Sequence, residues 1–412
     1  MFVYVLNNEN KPLMPTNPAK ARMLLKVGKA KVVRRLPFTI KLTYDSDSYV
    51  QTVTAGMDTG SKVVGCAAIA DGKVLYQSEV TLRQDVSGKM EKRRMYRRTR
   101  RGRKTRYREC RFDNRSASRR KGRFAPSLKS KLESHLREKN FVEKILPVAH
   151  WKVELASFDI HKITNPNVAG KGYQNGNQKG YYNIKAYVLA RDNYTCQHCK
   201  GKSKDKRLHC HHIIWRSKKG TDTPSNLICL CETCHDALHK GEFKLSNKKS
   251  KTKHATEIGI IKSQLKKCGW KFLETFGYET KYKREQCLEF PKTHANDAVA
   301  ICCEDNQTVE LDNVVYQKRH VSQGDYQQRK GKRSEIIIPT GKLFGLRKFD
   351  LVKTVKGIGI VKGKRSRGTF NVSDIFGNNA YDVNIKKYCK RLLARTTTLI
   401  QLQRGDVTAF LH

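Results

Sequence analysis

The sequence has 412 residues, with 84 Lys or Arg against 37 Asp or Glu and a formal net charge of +47. A self-repelling excess of this size needs a polyanionic partner, which points to nucleic acid and away from acceptors of neutral or basic character. With 38% hydrophobic residues and no run of roughly 18 apolar residues, several modest cores are expected, without a membrane span.

The first ten residues lack a signal-peptide pattern, so a cytoplasmic, nucleoid-associated protein is expected, without membrane contact. Its 13 cysteines then read as metal ligands and small core residues rather than disulfides. No repeat of fixed period is visible.

In chain order, Met1–Leu6 reads as a short strand, and a polar turn leads to Lys11-Pro-Leu-Met-Pro15. Ala19–Gly28 has a helical pattern closed by a glycine suited to a C-cap, and Lys31–Lys41 reads as a further strand. Thr52–Met57, Val63–Ile69 and Val74–Tyr76 follow at hairpin spacing, predicting a β-meander with Asp58 at the end of its first strand.

Residues 91–123 hold 14 Arg and 3 Lys, opposed only by Glu91, Glu109 and Asp113. No Pro interrupts the run, so at least its first half is expected to be helical. A basic arm without fixed structure is the alternative. Leu128, Leu132, Leu136, Val142 and Ile145 predict a helix over 126–147, and Trp151–Leu155 reads as a strand carrying Glu154.

Residues 163–182 read as a linker, 184–240 as a compact Cys/His block and 242–253 as a connector. Thr293–Ile301 begins a helix that carries Asp297. Beyond 311, short segments (Glu335–Pro339, Leu351–Val355, Ile358–Val361, Thr369–Val372) predict a basic, mostly β domain.

Within the block, Cys196-x-x-Cys199 and Cys231-x-x-Cys234 are separated by 31 residues. Four thiolates suit tetrahedral Zn²⁺, a structural site because no coordination position stays open. Between and beside them lie His211-His212, Asn226 and His235, an order that resembles the HNH nuclease motif of ββα-metal enzymes. That resemblance implies His212 as the general base that activates water. It implies His211 and His235 as ligands of a catalytic Mg²⁺, and Asn226 as the residue that fixes the loop and orients the base. His209 and His239 have no assigned role, and Cys210 and Cys229 read as packing residues.

Asp58 on a first strand, Glu154 on a later strand and Asp297 on a distant helix form an RNase H-like order of acids. Such carboxylates hold two Mg²⁺ ions roughly 3.5–4 Å apart for in-line phosphodiester hydrolysis. Taken singly, each reads as an ordinary surface acid.

The whole order resembles the IscB family, transposon-encoded (OMEGA) RNA-guided endonucleases related to Cas9. The resemblance implies a multidomain α/β protein: an RNase H-like (RuvC) nuclease split by an Arg-rich bridge helix and an inserted HNH domain. A small N-terminal α+β (PLMP) domain and a β-rich C-terminal domain flank it.

The implied layout is PLMP 1–50, RuvC-I 51–90, bridge helix 91–125, RuvC-II and linker 126–183 and HNH 184–245. RuvC-III at 246–310 and a target-adjacent-motif domain at 311–412 complete it. Also implied are a guide RNA (ωRNA), duplex DNA as target, a monomeric ribonucleoprotein, Mg²⁺ at both centres and Zn²⁺ at the cysteines. His294 would assist Asp297 as base or beside the metal. Arg93, Arg94, Arg97, Arg98, Arg100, Arg101, Arg103, Arg106, Arg108 and Arg111 would contact nucleic acid. Arg347, Lys348 and Arg365 are candidates for phosphate contact or plain basic surface. Two alternatives stay open: a protein-only HNH homing or restriction-type enzyme, and a non-catalytic RNA-binding transposon regulator.

Overall fold

The computed structural model describes residues 2–46, 49–101, 124–155, 180–218, 220, 222–245, 253–304, 307–311, 314–322, 345–364, 369–384 and 389–404. The expected strand Glu335–Pro339, most of the linker, Arg365, Arg103, Arg106, Arg108 and Arg111 lie outside these residues, as do the side chains of Arg100 and Arg101.

The first elements are β1 (Val3–Leu6), β2 (Pro12–Thr16), α1 (Pro18–Lys26), β3 (Ala30–Arg34), β4 (Thr39–Leu42), β5 (Val53–Asp58), β6 (Val63–Ala70) and β7 (Lys73–Thr81). Next come α2 (Val86–Arg101), α3 (Pro126–Glu143), β8 (Val148–Glu154), α4 (Ile184–Arg191), β9 (Leu208–His212), β10 (Leu227–Cys231) and α5 (Glu232–Lys240). Then follow α6 (Lys253–Lys267), β11 (Leu273–Thr275), α7 (Gly277–Tyr282), α8 (His294–Cys302) and β12 (Val314–His320). The last are β13 (Leu351–Thr354), β14 (Gly357–Lys364), β15 (Thr369–Ser373), β16 (Tyr381–Asn384), β17 (Lys390–Leu393) and β18 (Thr398–Arg404). The chain divides into two compact units, residues 1–156 with 257–412, and residues 157–256. No described helix is long and apolar enough to cross a membrane.

The first unit begins with a four-stranded sheet in the order β2-β1-β4-β3, against which α1 packs through Ala21, Leu24 and Leu25. Asn17 caps α1 by accepting from the Lys20 amide at 2.7 Å, with Pro18 in the first turn. The single strand expected over Lys31–Lys41 is instead the antiparallel pair β3 and β4, joined by a turn holding Pro37. Proline has no N–H to give a ladder, so the run breaks there.

The centre is a seven-stranded sheet in the order β11-β8-β5-β6-β7-β12-β18. β5, β6 and β7 form the antiparallel meander, while β8 runs parallel to β5 and β11 parallel to β8. Strands buried on both faces need cover on both. Met57, Cys66, Trp151 and Val153 pack with Val142 of α3 and with Ile261 and Leu265 of α6. Ala67, Ile69 and Val74 pack with Ala298, Val299 and Cys302 of α8. The close approach of α8 requires Gly65, where an added Cβ would fall 1.8 Å from the His294 carbonyl oxygen.

The β region expected as a separate domain from 311 is shared between two sheets. β12 pairs parallel with β7 and β18 antiparallel with β12, so both ends of that region complete the central sheet. The five strands between, ordered β16-β15-β14-β13-β17, form their own sheet over Val352, Val361, Phe370 and Val372. β12 also carries Lys318, fully buried, which bonds both carboxylate oxygens of Glu138 on α3 at 2.8 and 2.9 Å. Tyr76 (2.6 Å) and Ser78 (2.8 Å) donate to the same carboxylate. Burial would raise Glu138, but Lys318 and the two hydroxyls outweigh it and hold it below its ordinary value.

α2 carries Arg93, Arg94, Arg97 and Arg98, all exposed, and begins at Val86, five residues before the expected start at 91.

Candidate nuclease centres

The acidic centre lies where β5 and β8 end side by side. The parallel register sets Asp58 opposite Glu154, and α8 brings His294 and Asp297 across the sheet. Thr293 caps α8 by accepting from the Asn296 amide at 3.0 Å, so the first turn presents His294 and Asp297 together. Ligand atoms of Asp58, His294 and Asp297 all come within 4.8 Å of one another.

The histidine is held by Asp58: His294 Nδ1 meets Asp58 Oδ2 at 2.6 Å. Asp297 is instead paired with Arg284, a buried side chain in the π-turn Lys283–Cys287. Glu154 stays outside the close trio. Its carboxylate, its pKa lowered in part by the Thr280 side chain, faces the main chain at Gly277, where an added Cβ would lie 3.0 Å from Oε1. A fourth acid, Glu79 of β7, accepts from the Ala295 amide at 3.2 Å at the start of α8.

The charges are crowded enough to disturb titration. Burial raises Asp58, with Asp297 and Glu79 adding to it and His294 opposing. Burial likewise raises Glu154, together with Asp58 and Asp297. The hydrogen bond to Asp58 raises His294. Carboxylates that repel one another at the mouth of a basic protein are the donor set a hard divalent cation relieves, so the residues fit Mg²⁺.

The second unit contains a ββα element. β9 and β10 pair antiparallel, with His212 opposite Leu227 and His211 opposite Ile228, and α5 follows β10 directly. His211 projects from β9, and His235 and His239 lie one turn apart on α5. Their ligand atoms lie within 4.8 Å of one another. His239 therefore joins the cluster in which it had no expected part; its four-residue spacing after His235 was the available signal. His209 stacks on His235 at 4.7 Å between ring centroids.

His211 Nε2 is buried and meets no hydrogen-bond partner among the described residues, as a metal-ready nitrogen would. Burial, reinforced by His235 and His239, lowers His211 to about 4, keeping it neutral. Three imidazoles suit a borderline cation such as Zn²⁺ or Ni²⁺ better than the Mg²⁺ expected from two histidines.

His212 projects from the same strand, and its Nε2 lies 2.7 Å from Asp222 Oδ1. Arg216 bonds that same oxygen at 3.1 Å through Nε. Asn226 ties the loop at Ile214, accepting from the Ile214 amide at 2.8 Å and donating to the Ile214 carbonyl at 3.1 Å. The His212 ring is held by Asp222, which sequence reasoning missed. The loop closes tightly: a Cβ on Gly220 would fall 1.6 Å from the Ile214 oxygen.

Cys196, Cys199, Cys231 and Cys234 bring their sulfurs within 4.8 Å, with Cys199 and Cys231 3.8 Å apart. The Ser203 hydroxyl, 3.3 Å from Cys199 Sγ, lowers that thiol to about 5, while burial pushes Cys234 up. Thiols this close cannot all ionise without a cation, and the set fits Zn²⁺. Cys229 is fully buried and Cys210 half-buried, neither part of the cluster.

Residues 196–241 match the HNH endonuclease family, and residues 3–176 match the RRXRR protein family. A 63-residue stretch is 35% identical to the type IV methyl-directed restriction enzyme EcoKMcrA of Escherichia coli (strain K12), covering 14% of this chain. The chain spans 22% of that relative's length. These findings support an HNH enzyme of the metal-dependent DNA endonuclease class. The RRXRR match, to a family found in IscB- and Cas9-like proteins, makes the likeness more particular: an IscB-like HNH nuclease.

Proposed function

We propose that this protein is an RNA-guided DNA endonuclease with two cutting centres, the HNH centre for the guide-paired strand and an RNase H-like (RuvC) centre for the displaced strand. The observation that carries the reading is a second nuclease-type cluster, Asp58, His294 and Asp297, built on a sheet outside the HNH unit. A protein-only HNH enzyme has no use for it. The strand order β7-β6-β5-β8-β11, with three antiparallel strands followed by two parallel ones, is that of an RNase H-like sheet and supports the assignment. The exposed arginines of α2 supply a phosphate-binding stripe for guide RNA and heteroduplex.

At the HNH centre, Asp222 holds Nε2 of His212, which leaves Nδ1 to take a proton from water. His211, His235 and His239 would hold a divalent ion, which when bound supplies charge stabilisation at the phosphate. At the second centre Asp58 and Asp297 would hold metal, His294 keeps its Nδ1 on Asp58, and Glu154 stands by in register.

His212→Ala should leave an enzyme that nicks only the displaced strand, with the guide-paired cut slowed about 10²–10⁴-fold. Asp58→Ala should do the reverse. The experiment is strand-resolved cleavage of plasmid DNA by protein expressed with its flanking locus, with sequencing of the RNA that copurifies. Loss of both cuts from either change, or copurification of random cellular RNA only, would sink the proposal.

A further inference from the structure

A run of aromatic side chains stands in solvent beside the acidic centre. Phe276 is 46% exposed, Tyr278 71% and Tyr282 61%. Tyr278 and Tyr282 are four residues apart on α7 and so share a face. Phe276 precedes the helix, and its ring stacks on Tyr278 at 5.8 Å with 13° between planes. Burial elsewhere does not explain them, because none of the three belongs to a hydrophobic core of the described residues. Rings left in water at this density mark a binding surface.

The position says what they bind. Thr275 pairs in register with Glu154, and Gly277, between the two stacked rings, passes directly against the Glu154 carboxylate. The rings therefore begin one residue beyond the strand partner of Glu154. The acids of this segment have partners of their own. Glu274 is paired with Lys262 (2.9 Å) and Lys266, Glu285 with Arg284, which also holds Asp297, and Glu279 accepts from the Phe276 amide at 3.3 Å and from the Tyr278 hydroxyl at 3.1 Å. Lys281, exposed on the same short helix, lies 3.8 Å from Glu285.

We propose that Phe276, Tyr278 and Tyr282 form a stacking ledge for unpaired bases of a single DNA strand, holding that strand so that its backbone runs to the acidic centre. Aromatic rings accept any base face, so the ledge captures unpaired nucleotides without reading sequence, and duplex DNA with its bases stacked inside has nothing to offer it. The inference rests on the two-centre reading above and adds to it what selects the strand.

The test uses the full chain with its RNA, at salt high enough to suppress plain phosphate binding. Wild type should bind oligothymidylate more tightly than an abasic oligonucleotide of equal length. Phe276→Ala/Tyr278→Ala/Tyr282→Ala should lose that preference, roughly tenfold in affinity per base released. A 2-aminopurine base in the displaced strand should be quenched in the wild-type complex and bright in the variant. The guide-paired cut should be unchanged, which also reports an intact fold, while the displaced-strand cut slows. Equal quenching and equal preference in wild type and variant would overturn the ledge. Should Asp58→Ala leave the displaced-strand cut intact, the two-centre reading fails, and the binding and quenching arms still decide the ledge independently.

Discussion

The two clusters that could hold a cation are built of opposite materials. In the HNH unit the donors are imidazoles and thiols, supplied by residues 196–239 and held by a two-stranded hairpin and one helix. In the sheet unit the donors are carboxylates and one imidazole, and Asp58 meets His294 across 236 residues of sequence. The first is a small body with a small core, five of whose members or neighbours are Cys196, Cys199, Cys231, Cys234 and Leu230. The second sits on strands buried on both faces and its shape depends on packing.

The strongest way to break that contrast is to remove zinc. Cys231→Ser should abolish bound zinc and unfold residues 157–256, since structural zinc contributes on the order of 10 kcal/mol to such folds. The sheet unit should keep its own thermal transition. Metal analysis and calorimetry report this, and a single transition lost as a whole would show that the units are not independent.

The converse probe lies inside the sheet unit. Lys318→Met leaves Glu138 buried without its cation and should cost about 3–5 kcal/mol. Lys318→Met/Glu138→Leu should recover much of that loss, measured by denaturant unfolding. Failure of the double variant to improve on the single one would mean the pair specifies the packing of α3 rather than merely filling it.

Acid should also probe the sheet unit. His135 is fully buried and His320 nearly so, and burial lowers each from 6.5 to about 4. A histidine with a depressed folded value stays neutral while its unfolded counterpart takes a proton. Its contribution is therefore complete above about 6.5 and is lost as pH falls from there toward 4, on the order of 3 kcal/mol per ring. The two rings add a loss that His135→Phe/His320→Leu should remove. An unchanged slope of melting temperature against pH in that variant would rule the rings out as its source.

The smallest expected effect sharpens the HNH side. Asp222→Ala should slow the guide-paired cut about 10–100-fold through loss of the bond to His212, with zinc content unchanged. Asp222→Asn, which still offers an oxygen to Nε2, should lose less. Equal rates for both variants would mean that the contact does not orient the base. Across both centres, divalent preference should differ: Mg²⁺ for the displaced-strand cut, a borderline cation for the other.

The sequence by itself determined the Cys/His block, because its candidate ligands recur at short intervals suited to thiolate and imidazole coordination. Cys196, Cys199, Cys231, Cys234, His211 and His235 were legible this way, and His239 was present in the same spacing but unread. It also determined the meander, the arginine-rich helix and the strands bearing Asp58 and Glu154, since hydrophobic alternation and charge are local properties. Only the tertiary structure decided which acids meet. Arg284 on Asp297, Glu79 at the start of α8, and Asp222 on His212 are each one charged residue among many. The return of β12 and β18 to the central sheet and the exposed rings beside Glu154 were equally invisible. Strand pairing and side-chain encounters between distant segments depend on which surfaces are left to bury once the sheet has closed, and no interval along the chain encodes that.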